Sequence, residues 1–193
     1  NVVQGDAAVA EMLLSLPWDF IFFTGSERIG QKVALAAAKQ LIPSVLELGG
    51  KCPCILDESG VNEESARRII WGKMFNAGQT CVAPDYLLVP KDSQERFVSL
   101  LSAQIDQLYG PDLRDSPDYG RIINHKQMER LADLAKDGQI RYGGSIDRDQ
   151  RYFEPVILTD IPADSRILKE EIFGPILPVI PYENWDQLIE TLN

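Results

Sequence analysis

The run Phe20-Ile21-Phe22-Phe23, followed at once by a helical pattern and then by a second aliphatic run, constrains this chain most. A strand covered on both faces reads as an unbroken apolar stretch, whereas a half-solvated one alternates. Ile29, Val33, Ala36, Ala37 and Leu41 recur at helical spacing, with Ser26 as candidate cap, and Pro43 closes the segment before Val45-Leu46-Glu47-Leu48. Residues Asp19 to Leu48 are therefore expected to form a βαβ unit.

The alternation continues. A strand is expected at Cys54-Ile55-Leu56. Next comes a helix capped by Asn62, with Glu63 and Glu64 in its first turn, Ala66, Ile69, Ile70 and Met74 on one face, and its stop at Gly78; a strand follows at Tyr86-Leu87-Leu88-Val89. Asp92-Ser93-Gln94-Glu95 reads as a capping box for a helix with Phe97, Leu100, Leu101, Ile105 and Leu108 inward, ended by Gly110-Pro111. Asn124 caps another helix, with Met128, Leu131 and Leu134 on one face and Gly138 as its stop. Strands are expected near Ile140-Arg141-Tyr142, Val156-Ile157-Leu158 and Pro178-Val179-Ile180, and a last helix through Trp185, Leu188, Ile189 and Leu192 reaches Asn193. Such alternation defines an α/β class.

Charge and cysteine content narrow the function. Nineteen basic residues against 29 acidic ones give a net charge of −10, which argues against binding a phosphate backbone. The apolar stretch from Met12 to Phe23 is broken by Pro17 and Asp19, so no direct membrane span is expected. Three irregularly spaced cysteines make no disulfide framework and point to a reducing, cytoplasmic location. Cys52 and Cys54, without a second ligand pair, read as small strand residues rather than as a metal site. Asn1 in place of an initiating methionine, and a last helix still running at Asn193, are read as cut ends.

Four positions can carry chemistry. Cys81 follows Phe75-Asn76-Ala77-Gly78-Gln79-Thr80, so a helix hands a thiol to a glycine-containing turn, although a buried core cysteine is the commoner meaning of such a pattern. Gly25 and Ser26 lie between a strand and a helix start, where free N–H groups can receive a pyrophosphate. A tight turn at Gly25 and a close helix contact at Gly30 would produce the same spacing. Glu47 sits among aliphatic neighbours before Gly49-Gly50, where burial would raise its pKa and suit it to a general base; a partly exposed edge carboxylate is the other reading. Glu170 and Glu171 precede Ile172-Phe173-Gly174-Pro175 and read as a charged strand edge, with Glu170 facing solvent by alternation.

Together, Leu46-Glu47-Leu48-Gly49-Gly50-Lys51, Phe23-Thr24-Gly25-Ser26, Asn76-Ala77-Gly78-Gln79-Thr80-Cys81-Val82-Ala83-Pro84-Asp85-Tyr86 and Glu170-Glu171-Ile172-Phe173-Gly174-Pro175 resemble, in order, the NAD(P)-dependent aldehyde dehydrogenase superfamily. The cysteine segment is most similar to its class-three branch of fatty and aromatic aldehyde enzymes. The resemblance implies an aldehyde dehydrogenase-like fold, with residues 1–50 as the C-terminal part of a Rossmann-like NAD(P)-binding domain and residues 51–193 as a C-terminally truncated catalytic domain.

It also implies roles. Cys81 is the nucleophile and Glu47 the general base. Gly25, Ser26, Ile29, Leu48, Glu171 and Phe173 contact NAD or NADP, with Ser26 near the phosphates, Ile29 near the adenine, Glu171 at the nicotinamide ribose and Phe173 holding the ring. No metal is implied. The substrate would be an aldehyde, and the parent a homodimer or larger homo-oligomer. An oxyanion-hole asparagine and the groups that read the adenine ribose belong to sequence upstream, so the isolated chain is expected to be severely impaired. Two rivals remain: a cysteine hydrolase using Cys81 with His125, the single histidine, and an inactive domain that only binds cofactor or subunits.

Overall fold

A computed structural model describes residues 1–110 and 112–192, omitting the side chain of residue 191; the expected stop at Pro111 and the helix end at Asn193 lie outside them. The chain divides into two compact units, Asn1–Gly49 and Gly50–Asn193.

The first unit contains α1 (Ala7–Leu14), β1 (Ile21–Gly25), α2 (Glu27–Gln40) and β2 (Ser44–Leu48). Strands β1 and β2 pair in parallel, Thr24 beside Glu47 and Gly25 beside Leu48, completing the expected βαβ unit. Gly30 lets α2 approach the sheet, because a Cβ there would lie 2.6 Å from Leu48 Cδ2. Leu41, in left-handed conformation, ends the helix by donating from its N–H to the Ala37 and Ala38 carbonyls. Two expectations change. Ser26 stands at the N-cap but its side chain makes no capping bond. Strand β1 is not covered on both faces: Phe22 is 65% exposed, since α2 packs against β1 and β2 while Phe22, Val45 and Glu47 stay open.

The second unit contains β3 (Pro53–Ile55), α3 (Glu63–Met74), β4 (Tyr86–Pro90), α4 (Gln94–Tyr109), α5 (His125–Leu134), β5 (Gln139–Tyr142), β6 (Ile146–Asp147), β7 (Tyr152–Phe153), β8 (Val156–Thr159), β9 (Ile176–Tyr182) and α6 (Trp185–Leu192). Its sheet runs β3-β4-β9-β8-β5, parallel except for β5. The unbroken apolar content of β4, β8 and β9 matches their burial, as central parallel strands require. Phe97, Leu101 and Ile105 from α4, and Ile70 and Met74 from α3, fill one continuous core with Leu87, Ile157 and Leu177 from the strands.

Asn62 caps α3 by accepting from Ser65 N at 2.9 Å, and Asn124 caps α5 by accepting from Gln127 N at 2.9 Å. The capping box does not form. Ser93 donates its hydroxyl to Glu58 at 2.9 Å, while Glu95 forms a bidentate pair with Arg141, so both side chains are committed elsewhere. Helix α3 ends at Met74 rather than Gly78, because Asn76 and Ala77 turn left-handed, with φ of 52° and 53°. Glu170 and Glu171 lie in irregular chain, not on a strand edge.

Candidate active site

The cysteine turn is built by backbone conformation. After Met74, Asn76, Ala77 and Gly78 all take positive φ, reversing the chain so that Cys81 emerges exposed. Gly78 is required twice over: its φ is +73°, and a Cβ there would stand 2.2 Å from the Gly174 carbonyl oxygen. That approach fastens the cysteine turn to the loop carrying Glu171 and Phe173. Gln79 locks the turn from the other side. Its amide donates to Asn76 O and Arg121 O, each at 3.0 Å, and its Oε1 accepts from Ile123 N at 2.9 Å. Cys52 Sγ approaches Cys81 O at 3.4 Å.

The partner loop, residues 167–175, is tied at nearly every residue. Lys51 Nζ donates to Ile167 O at 2.7 Å and Glu170 O at 3.2 Å; Arg130 donates to Glu171 O and Ile172 O; Asp137 accepts from Ile167 N at 2.8 Å. At its centre Ile172 N donates to the buried Asp85 Oδ1 at 2.8 Å. Phe173, next along, has φ of 46°, strained for a bulky residue, and its side chain is partly open. Glu171 is half-buried. Desolvation pushes its carboxyl above the ordinary value, the Gly50 N–H opposes that, Asp85 adds to it, and Arg130 and Lys51 act against it.

Beside this loop lies a charge cluster with no signature in the sequence. Asp85 pairs with Lys51, but among the described residues its Oδ2 has no hydrogen-bond donor of sound geometry. Lys73, on the inward face of α3, is 1% exposed. Burial drives its ammonium down to about 8, with Asp85 raising it, Lys51 lowering it and Glu171 raising it.

The cofactor candidates of the first unit gather at one end of β1 and β2. Gly25 sits beside Leu48, and Ile29 is half-buried in the first turn of α2. Because the Ser26 hydroxyl is not used as a cap, it and the first amides of α2 are free to meet a phosphate, which fits a dinucleotide. Glu47 is exposed on β2 beside Thr24, the second of its two sequence readings, since no described element of its unit covers that face. In the second unit, Cys81, Glu171 and Phe173 belong to the two fastened loops.

His125 is exposed at the start of α5 and, among the described residues, makes no bond to Cys81, so the rival hydrolase dyad finds no support here. Among the described residues no cluster of three or more His, Cys, Asp or Glu could hold a metal, and no helix is long and apolar enough to cross a membrane. Cys54 packs against the core, and burial raises its thiol pKa. Sequence reasoning missed an open groove of about 640 Å³ beside the cysteine turn, bordered by Trp71, Phe75, Asn76, Leu108, Tyr109 and Tyr119. Trp71 and Phe75 are the signal that could have revealed it: large apolar residues left exposed at the end of a helix with a well-formed buried face.

A family model described as aldehyde dehydrogenase family matches residues 1–193. The 4,4'-diapolycopene-4,4'-dial dehydrogenase of Cytobacillus firmus is 49% identical over 190 residues, covering 98% of this chain and 42% of that protein. Human aldehyde dehydrogenase family 3 member B1 is 46% identical over 192 residues, covering 100% and 41%. Among solved structures, the substrate-bound state of Staphylococcus aureus AldH superimposes with a TM-score of 0.93 at 44% identity, over 98% of this chain and 42% of that one. A Mycobacterium tuberculosis aldehyde dehydrogenase complexed with NAD+ does so with a TM-score of 0.84 at 30% identity, over 98% and 41%. The chain thus spans about two fifths of the length of these relatives.

Proposed function

The chain belongs to the aldehyde dehydrogenase family, and on that premise we propose that it supplies the nucleophile, the general base and part of the cofactor site of an enzyme oxidising an aldehyde to a carboxylic acid with NAD+ or NADP+. One observation carries the proposal: an exposed Cys81 on a left-handed turn fastened, through Gly78 and Gly174, to the loop that presents Glu171 and Phe173. Residues 1–49 would be a piece of the cofactor domain and residues 50–193 the cysteine-bearing domain.

The chemistry follows from these side chains. Cys81 Sγ, as thiolate, attacks the aldehyde carbon; the carbon–sulfur bond forms and the carbonyl pair moves to oxygen, where the Cys81 backbone N–H helps hold it. A bound nicotinamide supplies the hydride acceptor that turns the hemithioacetal into a thioester. Glu47, reached by water on its open face, takes a proton from the water that cleaves the thioester and frees the acid and the Cys81 thiol. Gly25, Ser26 and the start of α2 would hold the pyrophosphate, Ile29 would lie near the adenine, Glu171 at the nicotinamide ribose and Phe173 against the ring, with Leu48 also in contact with the cofactor.

The groove along Trp71, Phe75 and Tyr109 supports a substrate with an extended apolar or aromatic tail, in keeping with the dehydrogenases of apolar aldehydes that the class-three resemblance implies. Because the relatives are more than twice as long, the 193-residue chain alone is expected to turn over poorly, and a full-length form carries the activity. The superfamily resemblance favours a homodimer or larger homo-oligomer for the parent, and three free cysteines favour the cytoplasm.

The test is reduced-nicotinamide formation from a medium-chain aliphatic aldehyde by the full-length enzyme. Cys81→Ser should abolish it, and turnover undiminished by that change would end the proposal.

A further inference from the structure

We propose that Asp85 is a positioning residue for the nicotinamide half of the cofactor site: its buried carboxylate holds the Ile172 amide and so keeps Phe173 in the backbone conformation that presents Glu171 and the aromatic ring. The inference rests on the dehydrogenase reading of the same site.

It begins with Phe173. A bulky residue with φ of 46° persists only where its surroundings over-determine it. On the far side of Phe173, Gly174 is wedged between Gly78 and Leu131, where an added Cβ would lie 2.4 Å from Leu131 Cδ2. Beyond that, the Pro175 carbonyl accepts from Val156 N at 2.8 Å. On the near side, the last backbone donor before Phe173 is Ile172 N, and its partner is Asp85 Oδ1 at 2.8 Å.

Asp85 is itself firmly placed. It is 4% exposed at the entrance to β4, and its own N–H donates to Cys52 O at 2.8 Å, extending the β3–β4 ladder. An ionised carboxylate so buried is costly unless charges and donors answer it. Lys51 answers Oδ2 and also reaches the carbonyls of Ile167 and Glu170 in the same loop. Lys73, buried on α3, adds a favourable electrostatic interaction with the same carboxylate. Arg130 donates to the carbonyls of Glu171 and Ile172, so one peptide segment is gripped by an acceptor at its N–H and by cationic donors at its carbonyls. Neither Lys51 nor Arg130 can replace Asp85, because neither accepts a hydrogen bond.

The test compares Asp85→Ala and Asp85→Asn in the full-length enzyme, and repeats the backbone readout in the 193-residue chain. Asn keeps an acceptor for Ile172 N while losing the charge. Losing a hydrogen bond to a charged acceptor corresponds to roughly a 10- to 100-fold change in an equilibrium. Asp85→Ala should therefore raise the KM for nicotinamide cofactor by about that factor, with Cys81 alkylation by iodoacetamide, followed by peptide mapping, within about twofold of wild type. Asp85→Asn should recover most of the KM. In the short chain, amide exchange at Ile172 should accelerate at least about tenfold in Asp85→Ala and stay near wild type in Asp85→Asn. An unchanged cofactor KM in Asp85→Ala would overturn the proposal. So would KM, Cys81 reactivity and thermal stability falling together in both variants without rescue by Asn. If Asp85→Ala does not fold, Asp85→Asn decides alone: unprotected Ile172 exchange in that folded variant contradicts the hold. Absence of aldehyde oxidation by wild type would sink the dehydrogenase reading, while Ile172 exchange still decides whether Asp85 holds the loop.

Discussion

Replacing Gly78 by alanine should be among the most damaging single-methyl changes in this protein, and its cost can be worked from two separate causes. The residue has φ of +73°, and a left-handed backbone costs a residue with a Cβ roughly 1–2 kcal/mol. The new Cβ would also lie 2.2 Å from the Gly174 carbonyl oxygen and 2.5 Å from its carbon, so two backbones must part; overpacking of this kind adds about 1–3 kcal/mol. The sum, about 2–5 kcal/mol, is a large share of the ~5–15 kcal/mol that holds a typical domain. Gly72, six positions earlier and inside α3, is the control of opposite sign. Its Cβ would meet only Pro84 Cδ at 3.9 Å, so Gly72→Ala should stabilise by roughly 0.5–1 kcal/mol through helix propensity. Urea unfolding of both variants, followed by circular dichroism, supplies the two free energies. A Gly78→Ala cost no larger than about 1 kcal/mol would refute the claim that the cysteine turn and the Phe173 loop are fastened backbone to backbone.

Other consequences are separable. Asn124→Ala should cost about 1 kcal/mol of stability by removing the cap on Gln127 N, whereas Ser26→Ala should leave stability unchanged, since Ser26 makes no capping bond, yet weaken NAD+ binding; thermal melts and cofactor titration distinguish them. Lys73 gives a pH signature. Its folded pKa is depressed from 10.5 to about 8, so between those values the unfolded chain binds the proton that the folded one has released, and stability should rise with pH across that window. Above about 9 and 10, Cys54 and the buried Tyr119, whose folded pKa values are raised, pull the other way. The difference between wild type and Lys73→Met therefore isolates the effect, and a flat difference between pH 8 and 10.5 would contradict it.

Local signals carried much of this fold. The βαβ unit follows from one apolar run, one helical period and Pro43, and Asn62 and Asn124 cap their helices because a cap needs only a few neighbouring residues. What the sequence concealed depends on partners far along the chain. Ser93 and Glu95 have capping-box chemistry but are drawn to Glu58 and Arg141. Nothing local marks Ala77 as left-handed, although its φ is 53°. The hairpin of β6 and β7 has two residues per strand, too few for alternation to be read. The aldehyde dehydrogenase motifs marked Cys81, Glu47, Glu171 and Phe173, but the supporting Asp85, Lys51 and Lys73 become neighbours only through the sheet and α3. Of the two readings open for Glu47, buried base or exposed edge carboxylate, the structure shows the exposed one, because strand alternation turns it away from α2.

The central claim, that Cys81 becomes acylated and Glu47 then directs water to it, is tested most directly by mass spectrometry of full-length Glu47→Gln mixed with aldehyde and NAD+. A single burst of reduced cofactor should accompany an acyl group on the Cys81 peptide, in place of the thiol hydrogen, and both should be absent in Cys81→Ser. Steady turnover by Glu47→Gln without accumulated acyl-enzyme, or an adduct on another residue, would contradict the account.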